Sequence, residues 1–139
     1  MKELLGEVVE SIELSSSNKL LRIETLTNTY HYLCAGDCCN DVWLNDIVGV
    51  EALLGQYSPI LGIKLRPTEK IGEGESGVLE TLGYTLETEG GRCDFILRND
   101  HNGYYGGTME LLTKENFERI LAMPHNEGLT FREITEDVG

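Results

Sequence analysis

The chain carries four cysteines, Cys34, Cys38, Cys39 and Cys93, and three histidines, His31, His101 and His125, residue types that often supply nucleophiles, bases and metal ligands. A thiol attacks as its thiolate, so it needs a lowered pKa and a base within reach. Cys38 and Cys39 precede Asn40 and Asp41, residue types that cap helices, and a helix amino end favours an anion. His31 and His101 are the candidate bases, with His125 in the tail. No recognised protease or phosphatase loop surrounds these residues. Zinc asks for about four thiolates or imidazoles converging tetrahedrally, usually from two closely spaced pairs. Cys34 and Cys38 have a permitted spacing, but the second pair is missing, and Cys93, His31 or His101 would have to complete the set across a sheet. Cysteine as a small buried hydrophobe is the simpler reading. The residues therefore assign no catalytic group, no metal and no cofactor. A thiol- or metal-dependent hydrolase using Cys38 or Cys39 stays open as the alternative.

A ligand pocket is better supported than either kind of enzyme. Two stretches join glycines and amides to reactive or aromatic side chains: Gly36-Asp37-Cys38-Cys39-Asn40-Asp41-Val42-Trp43, and Arg98-Asn99-Asp100-His101-Asn102-Gly103-Tyr104-Tyr105-Gly106-Gly107. Asp37, Arg98, Asn99 and Asn102 offer oriented polar groups, while Trp43, Tyr104 and Tyr105 offer flat surfaces for stacking, with Cys38 and Cys39 beside them. Arg98 is suited to gripping a phosphate or carboxylate through two parallel hydrogen bonds. The structural alternative is a plain turn, with the tyrosines filling the core and Arg98 paired to Asp37. The run Gly72-Glu73-Gly74-Glu75-Ser76-Gly77 superficially resembles a phosphate loop, but it has no lysine and its acids repel phosphate, so a surface loop is expected.

Groups of this kind are usually held at strand ends by a rigid scaffold, and most of the chain has strand character. Residues 6–14, with Val8, Val9, Ile12 and Leu14 among acids, predict a first strand. After a Ser15-Ser16-Ser17-Asn18 turn, residues 19–27 alternate Leu21, Ile23 and Thr25 with Arg22 and Glu24, the period-2 pattern of a half-exposed strand. Residues 30–35 make a third strand, with Tyr30, Tyr32 and Cys34 on one face and His31, Leu33 and Ala35 on the other. Asn40 or Asp41 is then expected to cap a short helix through Val42, Trp43, Ile47 and Val48, ended by Gly49. Residues 60–66 read as a strand closed by Pro67, and 69–77 as a loop. Gly90-Gly91 supplies the turn of a hairpin between 78–88 and 92–99, followed by a strand over 108–112. Residues 114–123 place Phe117, Ile120 and Leu121 at helical spacing before Pro124. Thr130 and Glu133 form a capping box, with Leu129 and Ile134 as its staple, so a final helix is expected with Phe131, Ile134 and Val138 on one face.

The predicted fold class is a β-rich α+β domain with a largely antiparallel sheet of about six or seven strands. A short central helix and C-terminal helices complete it. The expected organisation is a core over residues 1–112 and a helical C-terminal extension over 113–139.

With 11 Lys plus Arg against 24 Asp plus Glu, the net charge is −13. Residues 1–112 carry 8 basic and 18 acidic side chains and residues 113–139 carry 3 and 6, so no acidic tail accounts for the imbalance. Such a surface repels phosphate backbones, which argues against direct nucleic-acid binding and leaves solubility or docking on a basic protein. No apolar run approaches the roughly 20 residues of a membrane helix, so no membrane partner is expected. The first residues, Met1-Lys2-Glu3-Leu4-Leu5-Gly6-Glu7, do not read as a secretory leader. The crowded cysteines do not suit a secreted disulfide framework, so a cytoplasmic location with reduced thiols is expected.

Taken together, Gly36-Asp37-Cys38-Cys39-Asn40 with Trp43, Leu54-Gly55, and Arg98-Asn99 with Asn102-Gly103-Tyr104-Tyr105-Gly106-Gly107 resemble an uncharacterised domain family of bacteria and their phages, a domain of unknown function. The resemblance covers residues 6 to 112 or so, and the family usually has Ser where Asn40 stands, a change that a helix cap tolerates. It implies a fold and a genomic setting but no chemistry. The expectation is a small, non-catalytic binding or interaction protein of phage or mobile-element type. It would act as a counter-defence inhibitor, blocking a host protein through its acidic face or sequestering a small polar, nucleotide-like ligand. The other alternative is an oligomeric structural component that exchanges its final helix between subunits.

Overall fold

Alternation of apolar and polar side chains builds most of this chain into strands, and the computed structural model describes residues 1–36, 40–103 and 106–139. Nine strands and one α-helix follow in order: β1 (Val9–Ser15), β2 (Leu20–Thr25), β3 (Thr29–Ala35), β4 (Asp41–Val48), β5 (Gly62–Gly72), β6 (Val78–Thr88), β7 (Gly91–His101), β8 (Thr108–Leu112), α1 (Lys114–Leu121) and β9 (Phe131–Glu133). They form a five-stranded sheet, β8-β3-β2-β1-β9, and a four-stranded sheet, β4-β7-β6-β5. Every neighbouring pair is antiparallel.

A single apolar core joins the two sheets. Ile12, Leu14, Ile23 and Tyr32 come from the first, and Leu44, Leu86, Phe95 and Leu97 from the second; all are at most 1% exposed. Each contributes about 1.5–3 kcal/mol of burial free energy relative to an exposed side chain. Register keeps these faces aligned, since Ile12 lies opposite Ile23 and Leu21 opposite Tyr32. The Gly90-Gly91 turn is formed as the sequence suggests, and the two arms pair from Thr88 opposite Gly91 to Val78 opposite His101. Inside that hairpin Gly83 has φ +148°, and a Cβ there would run into the Phe95 carbonyl oxygen, so the position needs glycine.

The expected α+β class is therefore corrected to a nearly all-β fold with one short α-helix among the described residues. The helix expected over 42–48 is strand β4. A bulge between Leu44 and Asp46 places two residues where one would normally sit, so buried Val42, Leu44 and Ile47 lose their strict alternation and imitate a helical spacing. The expected C-terminal helices reduce to α1, which Thr113 caps by accepting the Asn116 N–H at 3.1 Å. The capping box at Thr130 and Glu133 starts no helix, because Phe131–Glu133 pairs with the open edge of β1 instead. Long-range pairing has overridden a local signal. Pro67 does not end β5 either. The strand runs on to Gly72 through bulges at Arg66/Glu69 and Lys70/Gly72 and takes in part of the expected loop, as an edge strand tolerates a missing N–H.

The last residues lace the sheets together. The Ile134 N–H donates to the Ile12 carbonyl in the first sheet at 2.7 Å, and Val138 bridges Ile47 of β4 in the second. Between them, the Asp137 carboxylate accepts the Gly49 and Val50 N–H groups, each at 2.9 Å. Helix α1 lies on the outer face of the first sheet, where Phe117 stacks on His31 with ring centroids 3.9 Å apart. Among the described residues, no helix is long and apolar enough to cross a membrane.

Candidate functional site

Two connections cross between the sheets at the same end of the molecule. β3 leads into β4 and β7 leads into β8, while β3 pairs with β8 and β4 with β7. Ala35 sits opposite Thr108 where the connections leave the first sheet, and Asp41 sits opposite Asp100 where they leave the second. The described parts of the two motif stretches are thereby brought side by side. Asn40 cross-links them: its Nδ2 donates to Asn99 Oδ1 at 3.0 Å and to the Gly106 carbonyl at 3.1 Å. Gly36 and Gly107 make the approach possible, since a Cβ on Gly36 would meet the Asn40 amide at 2.5 Å and one on Gly107 would meet Val42 at 2.9 Å.

Asn99 is 1% exposed and His101 is 4% exposed, so the inward face of β7 turns from apolar Leu97 to polar groups as it nears this end. The Gly103 N–H donates to His101 Nδ1 at 2.8 Å, which puts the ring proton on Nε2, where it is donated to Glu80. Both imidazole nitrogens are therefore occupied. His31 is engaged as well: its Nε2 accepts from Arg22 Nε at 3.3 Å beneath the Phe117 ring. Burial first, and then the neighbouring Arg22 cation, hold its pKa below the ordinary histidine value. The Cys34 and Cys93 thiols are buried, and burial pushes each up to about 12, so both are inert at neutral pH. Among the described residues, no group of three or more His, Cys, Asp and Glu side chains is arranged to hold a metal ion.

Of the residues singled out in the sequence, Asp37, Cys38, Cys39, Tyr104 and Tyr105 lie outside the described residues. Trp43 and Arg98 sit opposite each other on β4 and β7. Arg98 is committed within the sheet, donating to Thr81 Oγ1 at 2.9 Å and lying 3.7 Å from Asp46. The Trp43 indole N–H donates to Asn45 Oδ1 at 3.2 Å. Asn99 works as an internal cross-link, and Asn102 is exposed beyond the end of β7.

Beside Trp43 the second sheet holds an open trough of about 570 Å³, walled by Asp41, Glu73, Glu75 and Asp100 with Trp43 and Leu79. Its far wall is the β5–β6 turn. The Asp100 carboxylate pins that turn by accepting the Glu75 and Ser76 N–H groups, each at 3.0 Å, and a Cβ on Gly74 would collide with it. The amides that a phosphate loop would offer are thus taken by a carboxylate of the same chain. Sequence reasoning gave Glu73 and Glu75 no role beyond a surface loop, quoted Asp100 only as part of its motif, and did not single out Glu80. In a chain with 24 acidic residues, no local signal separates these from the rest.

A domain-of-unknown-function family, DUF7448, matches residues 2–111. The chain belongs to this family. The match takes in both crossovers and strands β1 to β7, with all but the last residue of β8, while α1 and the lacing tail lie beyond it. No curated protein and no solved structure matches this DUF7448 member.

Proposed function

We propose that the protein is a non-catalytic binding protein that takes a basic segment of a partner protein in the trough beside Trp43. The observation that carries this reading is the trough itself, where an indole face and Leu79 stand among four carboxylates on a chain of net charge −13; Asp41 is paired with Lys19 and Asp100 with the turn amides, so Glu73 and Glu75 are the ones that meet an incoming cation. A lysine or arginine side chain offers the complementary chemistry, an apolar stem to lie on the aromatic surface and a cation to meet the carboxylates. A nucleotide-like anion fits this surface poorly, because Arg98 is engaged by Thr81 and Asp46, Lys19 is paired with Asp41, and the charged side chains lining the trough are carboxylates. An acyl- or phosphoryl-transfer reading is disfavoured by the occupied nitrogens of His101 and the stacked, Arg22-bound ring of His31. Inhibition of a host protein in a counter-defence setting is the use we attach to this reading, by analogy with the bacterial and phage domains it resembles.

Trp43 is the only tryptophan in the chain, so its fluorescence reports on the trough directly. Titration with an arginine-rich synthetic peptide is expected to change the Trp43 emission and to weaken steeply as salt is raised. Glu73→Lys together with Glu75→Lys should lower the affinity about tenfold or more, a loss of about 1.4 kcal/mol. Unchanged affinity in that double variant, or an equal response to a polyglutamate peptide, would sink the proposal.

A further inference from the structure

The second sheet ends in a strand whose outer side is left open. β5 pairs with β6 along one edge, and among the described residues no strand meets the other. β8 is likewise the end strand of the first sheet, and Leu65 of β5 and Thr108 of β8 line one cleft of about 290 Å³. On its other side Leu65 borders an apolar hollow of about 300 Å³ with Met1, Lys2, Glu3, Ile63 and Tyr84, where the Glu3 carboxylate is engaged by the Tyr32 hydroxyl, which donates to it at 3.0 Å. Ile63 and Tyr84 pack against the core, yet Leu65 is 78% exposed and Leu61 59% exposed. The core face of the second sheet therefore extends past the cover provided by the first.

We propose that this side receives an extended, acidic segment of a partner protein, added as a strand along residues 62–66 with its inward apolar side chains in the two hollows. An edge strand carries a row of backbone N–H and C=O groups available to another chain, and strand addition satisfies them while alternate side chains reach the apolar floor. Charge selects an acidic segment. β5 has Lys64, Arg66 and Lys70 against Glu69, in a chain of net charge −13. Lys64 and Arg66 are paired with Glu87 and Asp94, but Lys70, and Lys2 at the rim of the hollow, make no ion pair among the described residues. The groove thus has unpaired cations near both ends. Pro67 and the bulges that follow it interrupt the edge, which confines the added strand to the residues before Pro67. A second copy of the chain fits less well, since it brings a net charge of −13 and the same interrupted strand.

The test is selection of a displayed library of random ten-residue peptides on the immobilised protein, followed by affinity measurement on the winners. The expected winners alternate apolar residues and carry acidic flanks. Leu65→Asp should weaken them at least tenfold with its NMR spectrum otherwise kept. Lys2→Glu with Lys70→Glu, two surface changes that leave the apolar floor in place, should weaken them several-fold at low salt and little at high salt. No enrichment, winners without acidic flanks, or affinities indifferent to both variants would overturn the proposal. So would light scattering that shows the chain dimerising through this edge, since the occupant would then be a second copy.

Discussion

The two ends of the sheet system meet the same problem and solve it differently. On one side, residues 131–138 run along β1, cap the turn after β4 through Asp137 and bridge Ile47, so the chain covers its own edges. On the other, no strand among the described residues meets the outer edge of β5 or β8, and β5 is guarded by Pro67, two bulges and lysines. Closing an edge with the chain's own tail gives stability. Guarding an edge without closing it prevents indiscriminate pairing and leaves a short stretch, before Pro67, where a matched segment can add.

Removing residues 131–139 is the harshest way to break this comparison. It takes out β9, the Asp137 contacts and Ile134, which is 4% exposed in the core, and uncovers the edge of β1. The expected loss is about 4 kcal/mol or more, on the scale of deleting a large buried side chain together with its neighbours' hydrogen bonds, measured by urea unfolding. A midpoint unchanged by the deletion would show that the tail is ornamental. Asp137→Ala should cost about 0.5–1 kcal/mol, because it leaves the Gly49 and Val50 N–H groups to water near the surface.

A pH scan separates the two sides further. His31 lies under α1, and Arg22 reaches both Phe117 of the helix and Phe131 of the tail, at 5.3 and 4.7 Å from the ring centres. The folded pKa of His31 is lowered from 6.5, so above that value both folded and unfolded chains hold it neutral. As pH falls through 6.5 the unfolded chain takes up a proton that the folded chain resists, and stability declines. His31→Gln should flatten that part of the profile, and an unaltered slope would remove His31 from the account. The smallest expected effect on stability belongs to Pro67→Val on the open side, within about 0.5 kcal/mol. Its readout is association: restoring an N–H to the β5 edge should raise the apparent mass at high concentration in light scattering.

Parts of both sheets were legible in the sequence: Leu21, Ile23, Tyr32 and Cys34 alternate cleanly in the first, and the Gly90-Gly91 turn announces the β6–β7 hairpin of the second. β4 was hidden by its bulge, which shifts Ile47 to a spacing that a helix also satisfies. The tail was misread for a different reason. Thr130 and Glu133 are sound capping residues locally, and only the unpaired edge of β1, more than a hundred residues away, decides against them. The meeting of the two glycine-rich motifs shows in their composition, but the partners that organise that end, Glu80 for His101 and Asp100 for the 73–77 turn, depend on strand register that spacing does not reveal.

Amide hydrogen exchange, read residue by residue on the protein without a partner, tests the contrast between the sides most directly. The account predicts strong protection of the Ile134, Val138, Gly49 and Val50 amides, which the tail engages or supplies, and fast exchange of the outward-facing amides among residues 62–66. Those fast amides should slow when an acidic, apolar segment is added. Uniform protection along β5 before any partner is present would contradict the account, because the edge it leaves open would already be closed.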